Sequence, residues 1–195
     1  MIRNKVMKMD TQQDYLRILV KYQQDPIPSR EECLVLMTDK FLVKKEIIAH
    51  CQAVAKVAVI LGQALKNSGI ELDLDLITAA GLLHDLAKKQ SDHARRAEQI
   101  LRNLGYPAVA DIVGAHMDIA TGERKTISEK EVVFLADKLV QGNRIVDLQS
   151  RFKTKLRRYA SDPDVFSIIS DRLQSALKIK HRLEHITGQS IESMI

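Results

Sequence analysis

The chain has 195 residues, 45% of them hydrophobic and 28% charged, which fits one globular unit, with or without a helical extension, and excludes a disordered chain. Eight Gly and four Pro are few turn residues for this length and exclude a fold of many short strands in favour of long helices. The net charge of +5 suits phosphate-bearing ligands, whether nucleotides or nucleic acid.

Apolar residues recur at three- and four-residue spacing nearly throughout, which predicts helix after helix. A first helix is predicted over 11–22, stopped by Asp25-Pro26-Ile27-Pro28. Ser29 followed by Glu31 and Glu32 reads as the N-cap and acidic first turn of a second, short helix. A long helix over 43–66 ends at Asn67-Ser68-Gly69. Asp73 or Asp75 caps a helix through Lys88 or Lys89. Ser91 caps the next, which ends near Leu104-Gly105, and Pro107 opens one reaching about Met117. Thr121-Gly122 is a loop. Ser128 with Glu131 three residues on forms a capping box for a helix to about Val140, and further helices cover 148–159 and 163–187. No strand-like alternation or internal repeat interrupts the series.

The apolar stretch 53–65 is broken by Lys56 and Gln63 and is too short to span a bilayer. Residues 1–10 carry three cations but no apolar run after them, so no secretory signal is read there. Cys33 and Cys51 make no disulfide framework. The expected setting is the reduced cytoplasm, without a membrane.

The informative residues are ionisable groups on helix faces that otherwise want burial. Asp137 shares its face with Val133, Phe134 and Val140, His116 with Ile112, Val113 and Ile119, and His50 with Ile47, Ala53 and Val54. His84 follows Leu76–Leu83, where Ala80, Gly81 and Ala87 leave space beside the imidazole. A buried carboxylate without compensation costs several kcal/mol, on the order of what burying any unpaired ion costs. A cation ligated by imidazoles and carboxylates satisfies all of these positions together.

His50, then the doublet His84-Asp85 within Leu82-Leu83-His84-Asp85-Leu86-Ala87-Lys88, then Asp137 within Leu135-Ala136-Asp137-Lys138-Leu139, resembles the HD-domain metal-dependent phosphohydrolases. The resemblance covers residues 43–144. It implies an all-α helical bundle in which His50, His84, Asp85 and Asp137 bind a divalent metal, with His93 and His116 as candidates for a second ion and Asp85 as the bridge. Paired histidines of some two-metal subfamilies are represented here only by His116 followed by Met117. The resemblance further implies Lys88, one turn beyond His84, as a cation for a phosphate oxygen or developing charge, and Arg144 as a phosphate contact suited by its planar fork.

The expected activity is hydrolysis of a phosphoester or phosphoanhydride, in a nucleotide or small phosphorylated metabolite, by a metal-activated water, with Asp85 and Lys88 as the catalytic side chains. Mn, Fe, Co, Ni or Zn fit the mixed ligands, with Mg admitted, at one or two ions per chain. The expected organisation is an N-terminal helical extension over 1–40, the phosphohydrolase core over 41–145, and C-terminal helices over 146–195 that belong to the same unit. The flanking helices carry no legible chemistry; covering the pocket, setting specificity and self-association into a homo-oligomer stay open. The alternative is a regulatory HD-like module that binds metal or nucleotide without turnover. Nucleic-acid binding through the basic stretch from Arg144 to Arg158 is disfavoured by the 4% aromatic content, which leaves few stacking platforms. His181 and His185, four apart in charged surroundings, read as solvated.

Overall fold

The computed structural model of the chain describes residues 26–119 and 126–195. The helix expected over 11–22 and the loop at 121–122 lie outside the described residues. Helix α1 (Arg30–Val35) opens on the expected capping box: the Ser29 hydroxyl accepts from Glu32 N at 3.2 Å, and the Glu32 carboxylate accepts from Ser29 N at 2.7 Å. It runs into a single π turn over Leu36–Lys40. Helix α2 (Lys45–Asn67) ends at Gly69, whose φ of +86° releases the chain from the helix. Helix α3 (Leu74–Leu83) is capped by the Asp73 carboxylate, which accepts from Asp75 N and Leu76 N.

Two helices end earlier than their apolar periodicity suggests. Helix α3 stops at Leu83 rather than at Lys88 or Lys89, so the His-Asp doublet lies in a turn just past the helix and not on it. There the backbone tightens to three-residue hydrogen bonds, Leu86 N to Leu83 O, Lys88 N to Asp85 O and Gln90 N to Ala87 O, a winding that leaves the α-ladder but keeps the chain compact. Helix α4 (His93–Asn103) follows, entered from Asp92 in the left-handed region (φ +52°) and not from a Ser91 cap; Asp tolerates that conformation because its short side chain bonds locally. Helix α5 (Pro107–Gly114) likewise ends before His116 instead of reaching Met117, with Ala115 N and His116 N bonding back to Ile112 O and Val113 O.

Helix α6 (Glu129–Leu139) carries the second capping box, with Glu131 buried, and every residue from Glu131 to Leu139 is buried. It is the central helix, packed against α2, α3 and α5. A short hairpin unforeseen from the sequence follows: β1 (Val140–Gln141) pairs antiparallel with β2 (Arg144–Ile145), turning at Gly142 with φ +60°. Helices α7 (Leu148–Arg158), α8 (Pro163–Thr187) and α9 (Ile191–Met194) complete the all-helical bundle. Helix α7 lies on α8, and α8 on α6 and α2.

By length and composition α2 is apolar enough to cross a membrane, more so than the 53–65 stretch taken alone. Its apolar residues are spent on the core: Cys51, Val54, Ala55, Val57, Ala58, Leu61 and Leu65 are all buried against neighbouring helices. The crossing of α2 and α3 is close because of Gly81, where a Cβ would come within 2.8 Å of the Ala55 Cα. Gly81 therefore makes room for a helix and not, as its place beside His84 suggests, for the imidazole.

Candidate metal centre

Six of the residues expected at the site converge. His50 projects from the first turns of α2, Asp137 from the last turn of α6, His84 and Asp85 from the turn after α3, His93 from the first residue of α4 and His116 from just past α5. Asp85 stands between two groups. Its Oδ2 faces His84 Nε2 at 3.6 Å and His50 Nε2 at 3.9 Å, while its Oδ1 faces His93 Nε2 at 3.3 Å and His116 Nε2 at 3.6 Å. Asp137 Oδ1 joins the first group, 3.2 Å from His50 Nε2 and 3.7 Å from His84 Nε2. Two sets can hold a metal ion: His50, His84 and Asp85, and Asp85, His93 and His116.

Three of the imidazoles are aimed by backbone carbonyls, which fixes their tautomers. His50 Nδ1 donates to Gly142 O at 2.7 Å, His84 Nδ1 to Gly81 O at 2.9 Å, and His116 Nδ1 to Val113 O at 2.6 Å. In the neutral ring the Nε2 atom of each is then a bare lone pair turned toward carboxylates or toward another ring, the arrangement that outer-shell carbonyls impose on ligating histidines. The hairpin has a purpose here, since its Gly142 carbonyl orients His50. His84 and His116 use one device twice: a histidine just past a helix end bonds back to the carbonyl three residues earlier.

The metal-free electrostatics are strained in a way a cation relieves. Burial pushes His84 down to about 4, against the pull of Asp85 and Asp137. Its Nε2 is fully buried with no hydrogen-bond partner, a lone pair held among carboxylates, and such orphan polar atoms are uncommon in folded proteins. His50 goes the other way: burial would lower it, but the Asp137 hydrogen bond and charge, with Gly142 and Asp85, leave it raised. Burial pushes Asp85 and Asp137 up, yet both end well below the usual carboxylate range. His116, His93, His84 and Lys88 act on Asp85, and Lys138, His50 and His84 on Asp137. His93 Nε2 and His116 Nε2 face each other at 3.2 Å, where a shared proton or a shared cation must intervene. Both cysteines are buried and their thiols are pushed up by burial, Cys33 to about 12, which rules them out as thiolate ligands or nucleophiles at neutral pH.

Lys88 reaches Asp85 at 3.0 Å from its Oδ2 and 3.1 Å from its Oδ1, with its side chain 44% exposed at the mouth. Arg144 is exposed on β2 and makes no hydrogen bond or ion pair to the cluster among the described residues. Sequence reasoning missed Lys138 and Arg151. Lys138 Nζ donates to Asp137 Oδ2 at 2.7 Å and to His116 O at 2.8 Å, and lies 4.6 Å from the Phe134 ring centre, so one buried ammonium ties the first group to the second. Arg151 donates to Val140 O at 2.6 Å and to the Asp137 carbonyl. Lys138 carried a signal: it is the one basic residue in the otherwise apolar run from Val132 to Val140, next to the last acid.

Residues 47–141 match the family model of the HD domain. This segment of the chain is an HD domain. The match spans His50 to the start of the hairpin, so the elements that bring the six side chains together belong to the HD domain, while α7, α8 and α9 lie beyond it. An uncharacterized protein of Methanocaldococcus jannaschii is 28% identical over 159 residues, covering 71% of this chain and 94% of that protein. No solved structure matches the chain. HD domains form a superfamily of metal-dependent phosphohydrolases, and the paired His/Asp groups agree with divalent-metal binding.

Proposed function

We propose that the chain is a dinuclear metal-dependent phosphohydrolase acting on a nucleotide or similar small phosphorylated molecule. The observation that carries this reading is the pair of donor groups sharing Asp85, one of them including a buried His84 Nε2 that nothing in the protein satisfies. The donor set fits the group it implies: imidazole nitrogens already turned inward by carbonyls, with carboxylates kept ionised. His50, His84, Asp85 and Asp137 would hold one divalent ion, and Asp85, His93 and His116 the second. Such ions, when bound, supply Lewis-acid activation of water and of a phosphoryl oxygen, and imidazole with carboxylate favours Mn, Fe, Co, Ni or Zn.

The chain's own residues supply the rest. Asp85, with both oxygens facing imidazoles, fixes the separation of the two groups and can take a proton from the attacking water. Lys88, charged and half-exposed beside it, neutralises a phosphate oxygen as charge builds there. Arg144, two residues after the Gly142 carbonyl that holds His50, approaches the substrate from the hairpin side. No protein nucleophile is called for, in line with the protonated, buried state of both thiols. A cavity of about 90 Å³, bounded by Phe41, Leu42, Val43 and Ile47 and by residues 85–90, offers an apolar wall beside Lys88 for the non-phosphate part of the substrate.

The test is a panel of phosphomonoesters, phosphodiesters and nucleotides assayed with Mn, Co and Ni, alongside elemental analysis of the purified chain. Wild type hydrolyses at least one class and retains metal, and His84→Ala does neither. Undiminished hydrolysis in His84→Ala removes this centre from the chemistry.

A further inference from the structure

The basic excess between Arg144 and Arg158 is divided by the register of α7. Arg151 and Lys155 are one turn apart and share a face. Arg151 holds the backbone of Asp137 and Val140, so this face is pressed against the end of α6 and the metal centre. Lys153 and Arg157 sit roughly 180° around the helix from that face, at about 100° per residue, and border the groove between α7 and α8 with Leu156 and Leu173. Arg158 lies by Tyr159. Lys155 is the next cation along the Arg151 face; Arg158, seven residues on from Arg151, falls on the same side at the last turn of the helix.

The charges around Lys155 are unbalanced. Lys88, Lys138, Arg151 and Lys155 set four cations about the two carboxylates Asp85 and Asp137, and both carboxylates already face imidazoles. Lys88 is paired with Asp85, Lys138 with Asp137, and Arg151 is bonded to carbonyls. Lys155 has no hydrogen bond or ion pair among the described residues; its ammonium lies 5.9 Å from the Phe152 ring centre. Lys155 is exposed; partial desolvation of its ammonium, then repulsion from Arg151, Lys138 and Lys88, holds it below the usual lysine range, with Asp137 opposing. An exposed cation with no anionic partner among the described residues, one turn along the face that Arg151 presses on the end of α6, is open to an anion from outside.

We propose that Lys155 is a substrate-binding residue that receives a second phosphate, one beyond the phosphate held at the His-Asp centre, so that the preferred substrate carries two or more linked phosphates. Helix α7 lies outside the HD-matched segment, so this contact is an addition to the HD domain made by the C-terminal helices. The inference rests on the phosphohydrolase reading for its catalytic consequence, but the anion site can be measured without turnover.

The experiment compares wild type, Lys155→Gln, Lys155→Arg and Lys153→Gln as full chains, each checked for unchanged metal content. Calorimetric titration with methylenediphosphonate, which is not hydrolysed, is expected to show binding about tenfold weaker in Lys155→Gln, the loss typical of one charge-assisted hydrogen bond. Lys155→Arg is expected within about threefold of wild type, and Lys153→Gln equal to it. In kinetics, Lys155→Gln raises KM for a nucleoside diphosphate about tenfold with kcat within about twofold, and leaves p-nitrophenyl phosphate unaffected. Diphosphonate binding that is absent in wild type, unchanged in Lys155→Gln, or weakened equally by Lys153→Gln overturns the proposal, as does an equal loss on both substrates. If wild type hydrolyses nothing in the wider panel, the phosphohydrolase reading fails, while the titration still decides whether Lys155 binds a diphosphate.

Discussion

The two donor groups are built differently. In the first, His50 and Asp137 rise from well-packed helices, and the doublet His84-Asp85 sits in a turn. In the second, His93 is the first residue of α4 and His116 stands past the end of α5, where the helical ladder no longer fixes the backbone. The second group is held by contacts from elsewhere: Lys138 on the His116 carbonyl, and the Arg172 guanidinium of α8 clamping Asp118 at 2.7 and 2.8 Å. A rigid first group and a clamped second one should differ in affinity, with the first ion held more tightly.

Asp85 belongs to both groups, so Asp85→Ala should have the largest effect: loss of both ions on elemental analysis and a fall in turnover of roughly a thousandfold or more, the scale of removing a principal electrostatic group. Retention of two ions would end the bridging role. Next come the unshared ligands. His116→Ala should leave one ion per chain, whereas His50→Ala should weaken both, because the second ion depends on Asp85 being fixed by the first. Equal loss of a single ion in the two variants would make the groups equivalent and erase the distinction.

Acid should probe the first group through His84. Its folded value near 4 lies below the ordinary histidine value of 6.5, so the unfolded chain binds more protons between those values. Stability of the metal-free chain therefore falls as pH drops from about 6.5 toward 4, by roughly 3 kcal/mol from this group alone. His50 has the opposite sign: its raised value gives stability that is present below 6.5 and lost as pH rises through its folded value. Denaturant melts of His84→Asn against wild type, both metal-free, isolate the His84 slope; equal slopes would mean that His84 is not the acid-labile group. The metal-loaded chain should resist acid further, since a bound ion excludes both protons.

The packing beneath the first group gives a smaller effect. Gly81→Ala places a methyl 2.8 Å from the Ala55 Cα, backbone that can yield only if α2 and α3 part. Overpacking of this kind costs about 2 kcal/mol. The same shift would move the Gly81 carbonyl that aims His84, so metal affinity should fall together with the thermal midpoint. A variant destabilised with its metal affinity intact would show that the crossing and the ligand are uncoupled.

The spacing of His50, His84-Asp85 and Asp137 within apolar runs was enough to indicate that these groups gather inside a helical fold in sets that could hold a metal ion, because burying such groups demands compensation wherever the helices lie. Periodicity could not locate the helix ends, and the ends matter here. Leu82 and Leu83 continue into Leu86 and Ala87 without a break in apolarity, so nothing in the pattern says that the backbone tightens at His84. His93, a candidate for the second ion, has only the polar neighbours Lys89, Gln90 and Arg96 and no apolar face to single it out; the left-handed Asp92 precedes it where its ring meets Asp85. Contacts made through backbone carbonyls, at Gly81, Val113 and Gly142, leave no side-chain signature at all.

The smallest effect belongs to the clamp on the second group. Asp118 is held below its usual value first by its hydrogen bonds from Arg172, but its side chain is 65% exposed. Exposed pairs of this kind contribute less than about 1 kcal/mol. Arg172→Ala should thus leave the fold and the first ion intact and weaken the second ion by roughly two- to fivefold, read by competition with a chelator at low salt. Raising the salt should shrink the difference, since screening already removes much of the clamp from wild type. A loss of tenfold or more would make α8 the principal support of the His116 segment. No loss would mean that Lys138, bonded to the His116 carbonyl from inside the core, holds that segment alone.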